Sequence, residues 1–91
     1  MKLTIFGRRD CSACKKAKEK VEYYLAKWRV EIPLEYCDME TVEGLALGAF
    51  HDVAEVPTVV LEKQGKELRR WVKFPPLSEE LKGFLTVNEK P

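Results

Sequence analysis

Cys11 and Cys14 are the residues of this 91-residue chain whose type and spacing point most directly to chemistry. A Cys-x-x-Cys that opens a helix after a short strand reads as a redox pair, because only a thiolate attacks a disulfide and a helix start favours the thiolate. The first helical turn leaves backbone N–H groups unpaired and carries the positive end of the macrodipole. Cys11 is therefore the expected nucleophile, with a pKa lowered from about 8.5 into a range of about 3.5 to 7.5. Cys14 is the expected resolving thiol, less exposed and less acidic. Arg8, Arg9, Lys15 and Lys16 surround the pair and push the same way. Asp10 either opposes the thiolate or, as helix N-cap, satisfies backbone donors instead.

Other readings of the same side chains compete with this one. The pair could be structural, or half a metal site. Cys11, Cys14, Cys37 and His51 are acceptable zinc ligand types but supply only one close ligand pair, so no metal is expected. Cys37 ends a strand-like segment and reads as a small apolar residue, with a regulatory thiol as its rival. His51 is expected at the surface or as a cap, and Trp28 and Trp71 as core or half-buried anchors.

The elements that must hold the thiols follow from periodicity. Lys2 to Phe6 is short and β-prone. Ala13, Ala17, Val21, Tyr24, Leu25 and Trp28 recur at helical intervals and predict a helix from near Ser12 to near Trp28. Val30 to Cys37 alternates apolar and charged residues, with Pro33 marking an edge or a strand start. Val42, Leu45, Ala46, Ala49, Phe50 and Val53 line one face of a weaker helix from about Thr41 to about Asp52, loosened by Gly44 and Gly48. Val59-Val60-Leu61 has a buried-strand composition. Lys63 to Lys66 supplies a turn, and Glu67 to Val72 returns as the second arm of a hairpin. Phe74-Pro75-Pro76-Leu77 breaks the sheet. Ser78 is the expected N-cap of a last helix whose apolar face is Leu81, Phe84 and Leu85. The order is β-α-β-α-β-β-α over residues 1–91, read as one domain with two parallel strands, an antiparallel hairpin at one edge and helices on both faces.

Composition narrows the function classes. At 45% hydrophobic residues the chain is expected to be globular, and three cysteines do not make a disulfide scaffold. No apolar run is long enough to span a bilayer, and Met1 to Thr4 leads into a strand rather than a signal, so the cytoplasm is the expected compartment. The net charge of +1 hides a segregation: residues 1–30 carry +6, residues 31–62 carry −8 and residues 63–91 carry +3. The basic end holds the thiols and favours acidic partners. Nucleic acid is not an expected partner, since no basic excess survives over the whole chain.

On these motifs the chain resembles the thioredoxin/glutaredoxin superfamily. The resemblance spans nearly the whole sequence and implies an α/β, thioredoxin-like fold with a four-stranded mixed sheet. The first half, Gly7-Arg8-Arg9-Asp10-Cys11-Ser12-Ala13-Cys14, is glutaredoxin-like in length, and Ile5 stands where thioredoxins keep a buried Asp. The second half, Val56-Pro57-Thr58 through Lys66, is similar to thioredoxin. It lacks the Gly-Gly and acidic pair with which glutaredoxins grip glutathione, and Lys73 falls near a substrate-groove glycine of thioredoxins.

The resemblance further implies that Pro57 is cis and packs beside the redox pair, with Val56 offering its backbone to an extended substrate. The expected substrate-binding residues are Arg8, Arg9, Val56, Pro57 and Thr58. The implied function is thiol–disulfide oxidoreduction of protein or small-molecule disulfides through the Cys11/Cys14 dithiol. No bound cofactor is expected; a reductase, or glutathione as co-substrate, would regenerate the dithiol, and the chain would act as a monomer away from membranes. An iron–sulfur carrier of glutaredoxin type and a non-catalytic thiol regulator are the alternatives.

Overall fold

β1 (Lys2–Gly7) is buried from Leu3 to Gly7 and lies inside a four-stranded sheet of order β2-β1-β3-β4. A strand with neighbours on both edges and cover on both faces has no solvent side, so Leu3-Thr4-Ile5-Phe6 shows no polar alternation. The computed structural model describes residues 1–74, 76 and 78–89, with 86–89 as backbone only. α1 (Ser12–Trp28) leads to β2 (Leu34–Asp38), which runs parallel to β1 with Leu3 opposite Leu34 and Gly7 opposite Asp38. α2 (Val42–Phe50) then leads to β3 (Thr58–Lys63) and β4 (Lys66–Val72), antiparallel to β1 and to each other respectively. α3 (Ser78–Glu89) is the last element among the described residues. This is the expected β-α-β-α-β-β-α order in a mixed, thioredoxin-like sheet.

Three local predictions need correction. β2 begins at Leu34 rather than Val30, because Arg29 ends α1 in the left-handed region (φ 55°) and the Val30 N–H stays bonded to Leu25. Pro33 has no N–H to give and joins β1 only through its carbonyl, which accepts from Leu3 at 3.0 Å. On α1, Ala13 is exposed and Cys14 takes the inward position ahead of Ala17, Val21 and Leu25. On α2, the predicted apolar face points away from the sheet. Gly44 and Gly48 are the buried residues, while Val42 and Phe50 are each 81% exposed. A Cβ at Gly44 would strike the Asp38 carbonyl and one at Gly48 would strike Met39. Only the glycine side of α2 can lie this close to the end of β2. Ser78, the expected N-cap, is the first helical residue of α3, and the position before it lies outside the described residues.

The β3–β4 turn narrows to Gln64 and Gly65, both at positive φ (51° and 81°), a two-residue geometry matched to strand twist. The main core joins Leu3 and Ile5 of β1 and Val59 and Leu61 of β3 to Val21 and Leu25 of α1 and Leu81 and Leu85 of α3. The alternate residues of β1 point to the other face, where the Phe6 ring meets His51 at 5.7 Å. Trp71 is buried and anchors α3 through an Nε1–H donated to Glu80 at 2.8 Å, while Trp28 is half-buried and stacks on Tyr24. Among the described residues no helix is long and apolar enough to cross a membrane.

Candidate active site

β1 delivers the chain at Gly7, Arg8-Arg9-Asp10 crosses in the open, and Cys11 caps α1. The cap is thus Cys11, not Asp10: its backbone is extended (φ −112°, ψ 105°) and its Sγ accepts from the Cys14 N–H at 3.1 Å. A sulfur in this place sees unpaired helix N–H groups whether or not it is bonded. Cys11 and Cys14 form a disulfide with Cα atoms 5.1 Å apart, inside the ordinary range of about 4.4 to 6.8 Å. Cys11 is half-buried and Cys14 fully buried, so one sulfur faces an incoming group and the other lies behind it.

β2 holds the loop that carries Cys11. The Met39 N–H donates to the Gly7 carbonyl at 2.8 Å, the Tyr36 hydroxyl to the Arg8 carbonyl at 2.8 Å, and the Arg9 Nε–H to Asp38 at 3.0 Å. Gly7 is the contact point. A Cβ there would lie 2.8 Å from the Tyr36 ring and 2.9 Å from the Cys14 Cβ. The Glu40 backbone N–H, then the Arg9 guanidinium, hold the Asp38 carboxyl below the usual carboxylate range. Burial first, then Asp38 and Glu40, push the Tyr36 phenol up, so it stays a neutral donor at neutral pH.

Of the two predicted arginines, Arg9 is paired with Asp38. Arg8 has no ion-pair partner among the described residues. Arg8, Arg9, Lys15, Lys18 and Tyr36 line a cleft of about 220 Å³, with Lys18 over the Tyr36 ring at 5.7 Å.

The Val56–Pro57 bond is cis. The register that sets Phe6 opposite Thr58 places it at the sheet end where β1 delivers Gly7. Thr58 is buried and donates its hydroxyl to the Glu55 carbonyl at 2.6 Å, and the Pro57 carbonyl accepts from the Lys73 N–H at 2.7 Å. Lys73 sits at φ 70°, a conformation that favours glycine, and Phe74 beside it is 74% exposed. Gly7, Tyr36 and Asp38 were not legible as site residues, because their roles come from contacts between distant segments.

Cys37 is half-buried and donates weakly to the Gly44 carbonyl at 3.7 Å. Burial first, then Asp38 and Glu35, push its thiol up. His51 caps α2 between the Phe6 and Phe50 rings. Among the described residues no group of three or more Cys, His, Asp or Glu side chains gathers as a metal site, so the zinc set is not brought together.

No protein-family profile matches the sequence, and no curated protein matches it. Solved structures do. Thioredoxin 1 from Thermosipho africanus superposes with a TM-score of 0.77 at 26% identity, over 99% of this chain and 100% of that one. A thioredoxin variant from Halobacterium salinarum gives 0.76 at 24% over 99% of this chain and 75% of that one. The thioredoxin of Fasciola hepatica gives 0.69 at 23% over 94% and 78%. The chain has a thioredoxin-like fold with its Cys-x-x-Cys pair at disulfide distance, the arrangement of a thiol–disulfide oxidoreductase.

Proposed function

We propose that this thiol–disulfide oxidoreductase is a reductant of acidic protein or small-molecule disulfides, regenerated by a flavoprotein reductase of the thioredoxin-reductase class. The observation that carries the reading is the unequal burial of two bonded sulfurs at a helix start. In the reduced form the Cys11 thiolate attacks one substrate sulfur, forms a mixed disulfide and releases the other sulfur as a thiolate. The Cys14 thiol loses its proton and attacks Cys11 Sγ, restoring the internal disulfide and releasing the second substrate thiol. Two electrons pass from the dithiol to the substrate, and the reductase returns them. No bound cofactor is needed for either step.

Arg8 and the cleft cations favour an anionic group beside the substrate disulfide, while Val56, ahead of the cis bond, offers its backbone to an extended chain. Arg9 acts through Asp38 to hold the loop. The second half lacks the Gly-Gly and acidic pair with which glutaredoxins grip glutathione, which favours the reductase over glutathione as donor. A single monomeric domain in a reducing cytoplasm suits this role.

The test offers the reduced protein insulin as substrate with thioredoxin reductase, with glutathione and its reductase, and with neither. Turnover with thioredoxin reductase is expected. Turnover with glutathione alone would reassign the donor, and turnover with none would overturn the reading.

A further inference from the structure

α2 carries an amphipathic stripe on the side that faces away from the sheet. Val42, Leu45, Ala46, Ala49 and Phe50 recur at three- and four-residue steps, the pattern of a helix face that gets covered. All five are exposed, Val42 and Phe50 at 81% and Leu45 at 55%. The helix cannot roll to bury them, because Gly44 lies against the Asp38 carbonyl and Gly48 against Met39. Both ends are pinned as well. Thr41 caps the first turn, and the Arg70 guanidinium donates to the carbonyls of His51 and Asp52 just past the last. A contiguous apolar stripe held outward by a fixed frame marks an interaction surface.

The charge around the stripe identifies what covers it. Residues 31–62 hold eight acids and no Lys or Arg. Glu40, Glu43 and Asp52 border α2 and are exposed; Arg9 acts on Glu40 and Arg70 on Asp52 only at a distance, and among the described residues none of the three acids forms an ion pair within 4.0 Å. A second copy laid stripe on stripe would bring these acids against their own counterparts, and an anionic membrane surface would be repelled in the same way. We infer that the outward face of α2 docks a partner protein through an amphipathic helix whose apolar side is rimmed by Lys or Arg. Ala46 and Ala49 form low ground between Leu45 and Phe50, where the ridge of an incoming helix can settle. The α1 and α3 core contains no residue of α2, and the first turn of α2 adjoins the Asp38 turn that holds Arg9, so a partner on this face would sit beside the loop that carries Cys11. The inference does not depend on which donor reduces the Cys11–Cys14 bond.

The test uses the isotope-labelled full chain, titrated with a Leu/Lys amphipathic helical peptide of about five turns and with its Leu/Glu counterpart. The Leu/Lys peptide is expected to shift the amides of Val42 to Phe50 saturably and to bind at least about tenfold more tightly than the Leu/Glu peptide. Leu45→Ser combined with Phe50→Ser is expected to weaken it about tenfold, as is raising salt from about 0.05 to 0.5 M. Equal binding of the two peptides, shifts that map away from α2, or binding to vesicles of anionic lipid would overturn the inference. So would a dimer in sedimentation of the protein alone that the same double variant abolishes.

Discussion

Replacing Gly7 by alanine tests whether the end of β1 is the contact point that seats the thiol pair. The added methyl would sit 2.8 Å from the Tyr36 ring carbon that bears the hydroxyl and 2.9 Å from the Cys14 Cβ, and the hydroxyl itself is its nearest neighbour. Carbon atoms in contact lie about 3.5 to 4.0 Å apart, so two neighbours must each retreat by roughly 0.5 to 1 Å. Neither retreats freely. Cys14 is fully buried in the first turn of α1, and the Tyr36 hydroxyl is held by the Arg8 carbonyl at 2.8 Å. Overpacking of this kind costs about 1 to 3 kcal/mol. A loss of about 2 kcal/mol should lower Tm by roughly 10 °C in a chain of this size.

Tyr36→Phe removes the nearest colliding atom but also a hydrogen bond worth about 1 kcal/mol. The double variant Gly7→Ala with Tyr36→Phe should therefore be more stable than the two single losses add up to, by about 1 kcal/mol in a double-mutant cycle. Urea melts of all four proteins, with the disulfide kept oxidised, give the numbers. If Gly7→Ala lies within about 0.5 kcal/mol of the parent, the range of an ordinary surface change, the claim that Gly7 sets the approach of β1, Tyr36 and Cys14 is wrong.

Further outcomes follow from the same geometry. Cys14→Ser should trap a mixed disulfide between Cys11 and substrate, and iodoacetamide at neutral pH should label Cys11 of the reduced parent at least about tenfold faster than Cys37, whose thiol is pushed up by burial; equal labelling would remove the distinction between them. Relative to dithiothreitol with the same disulfides, the reduced protein should prefer dithiodipropionate over cystamine about tenfold at low salt and lose the preference near 0.5 M salt. Lys18→Glu should reverse that order while Lys66→Glu, at the far hairpin turn, keeps it. Stopped-flow rates decide, and an order indifferent to Lys18 would detach the cleft from substrate choice. The Arg70 hydrogen bond holds the Glu67 carboxyl below its usual value of 4.5 against the opposing effect of burial. A depressed carboxylate contributes stability that is complete above the unfolded pKa and is lost as pH falls through the folded one. Glu67→Gln should thus flatten the fall in stability below about pH 4.5, read from melts at stepped pH, whereas an unchanged slope would show that the pair carries no linkage.

Much of this architecture was legible because its determinants are local. The β-prone Lys2 to Phe6, the helical spacing after Ser12 and the turn chemistry around Gln64-Gly65 each lie within a few residues, and the elements formed in the order read from them. The Cys-x-x-Cys at a helix start is also local, and its place at the N-cap of α1 follows from the strand, loop and helix around it. The cis bond before Pro57 was expected from family resemblance and not from any property of Val56 or Pro57 alone.

What the linear order left undecided involved two segments at once. Periodicity says that Val42, Leu45 and Phe50 share a side of a helix; it does not say what stands opposite. That was settled by the backbone of Asp38 and by Met39, which leave room only for hydrogen at Gly44 and Gly48 and so turn the apolar side outward. In the same way Arg9 found Asp38, Tyr36 found the Arg8 carbonyl, and Cys14 rather than Ala13 turned inward. A sequence specifies which residues can share a face at the cost of a few dihedral angles, whereas close approach between distant backbones exists only once the sheet has brought them together.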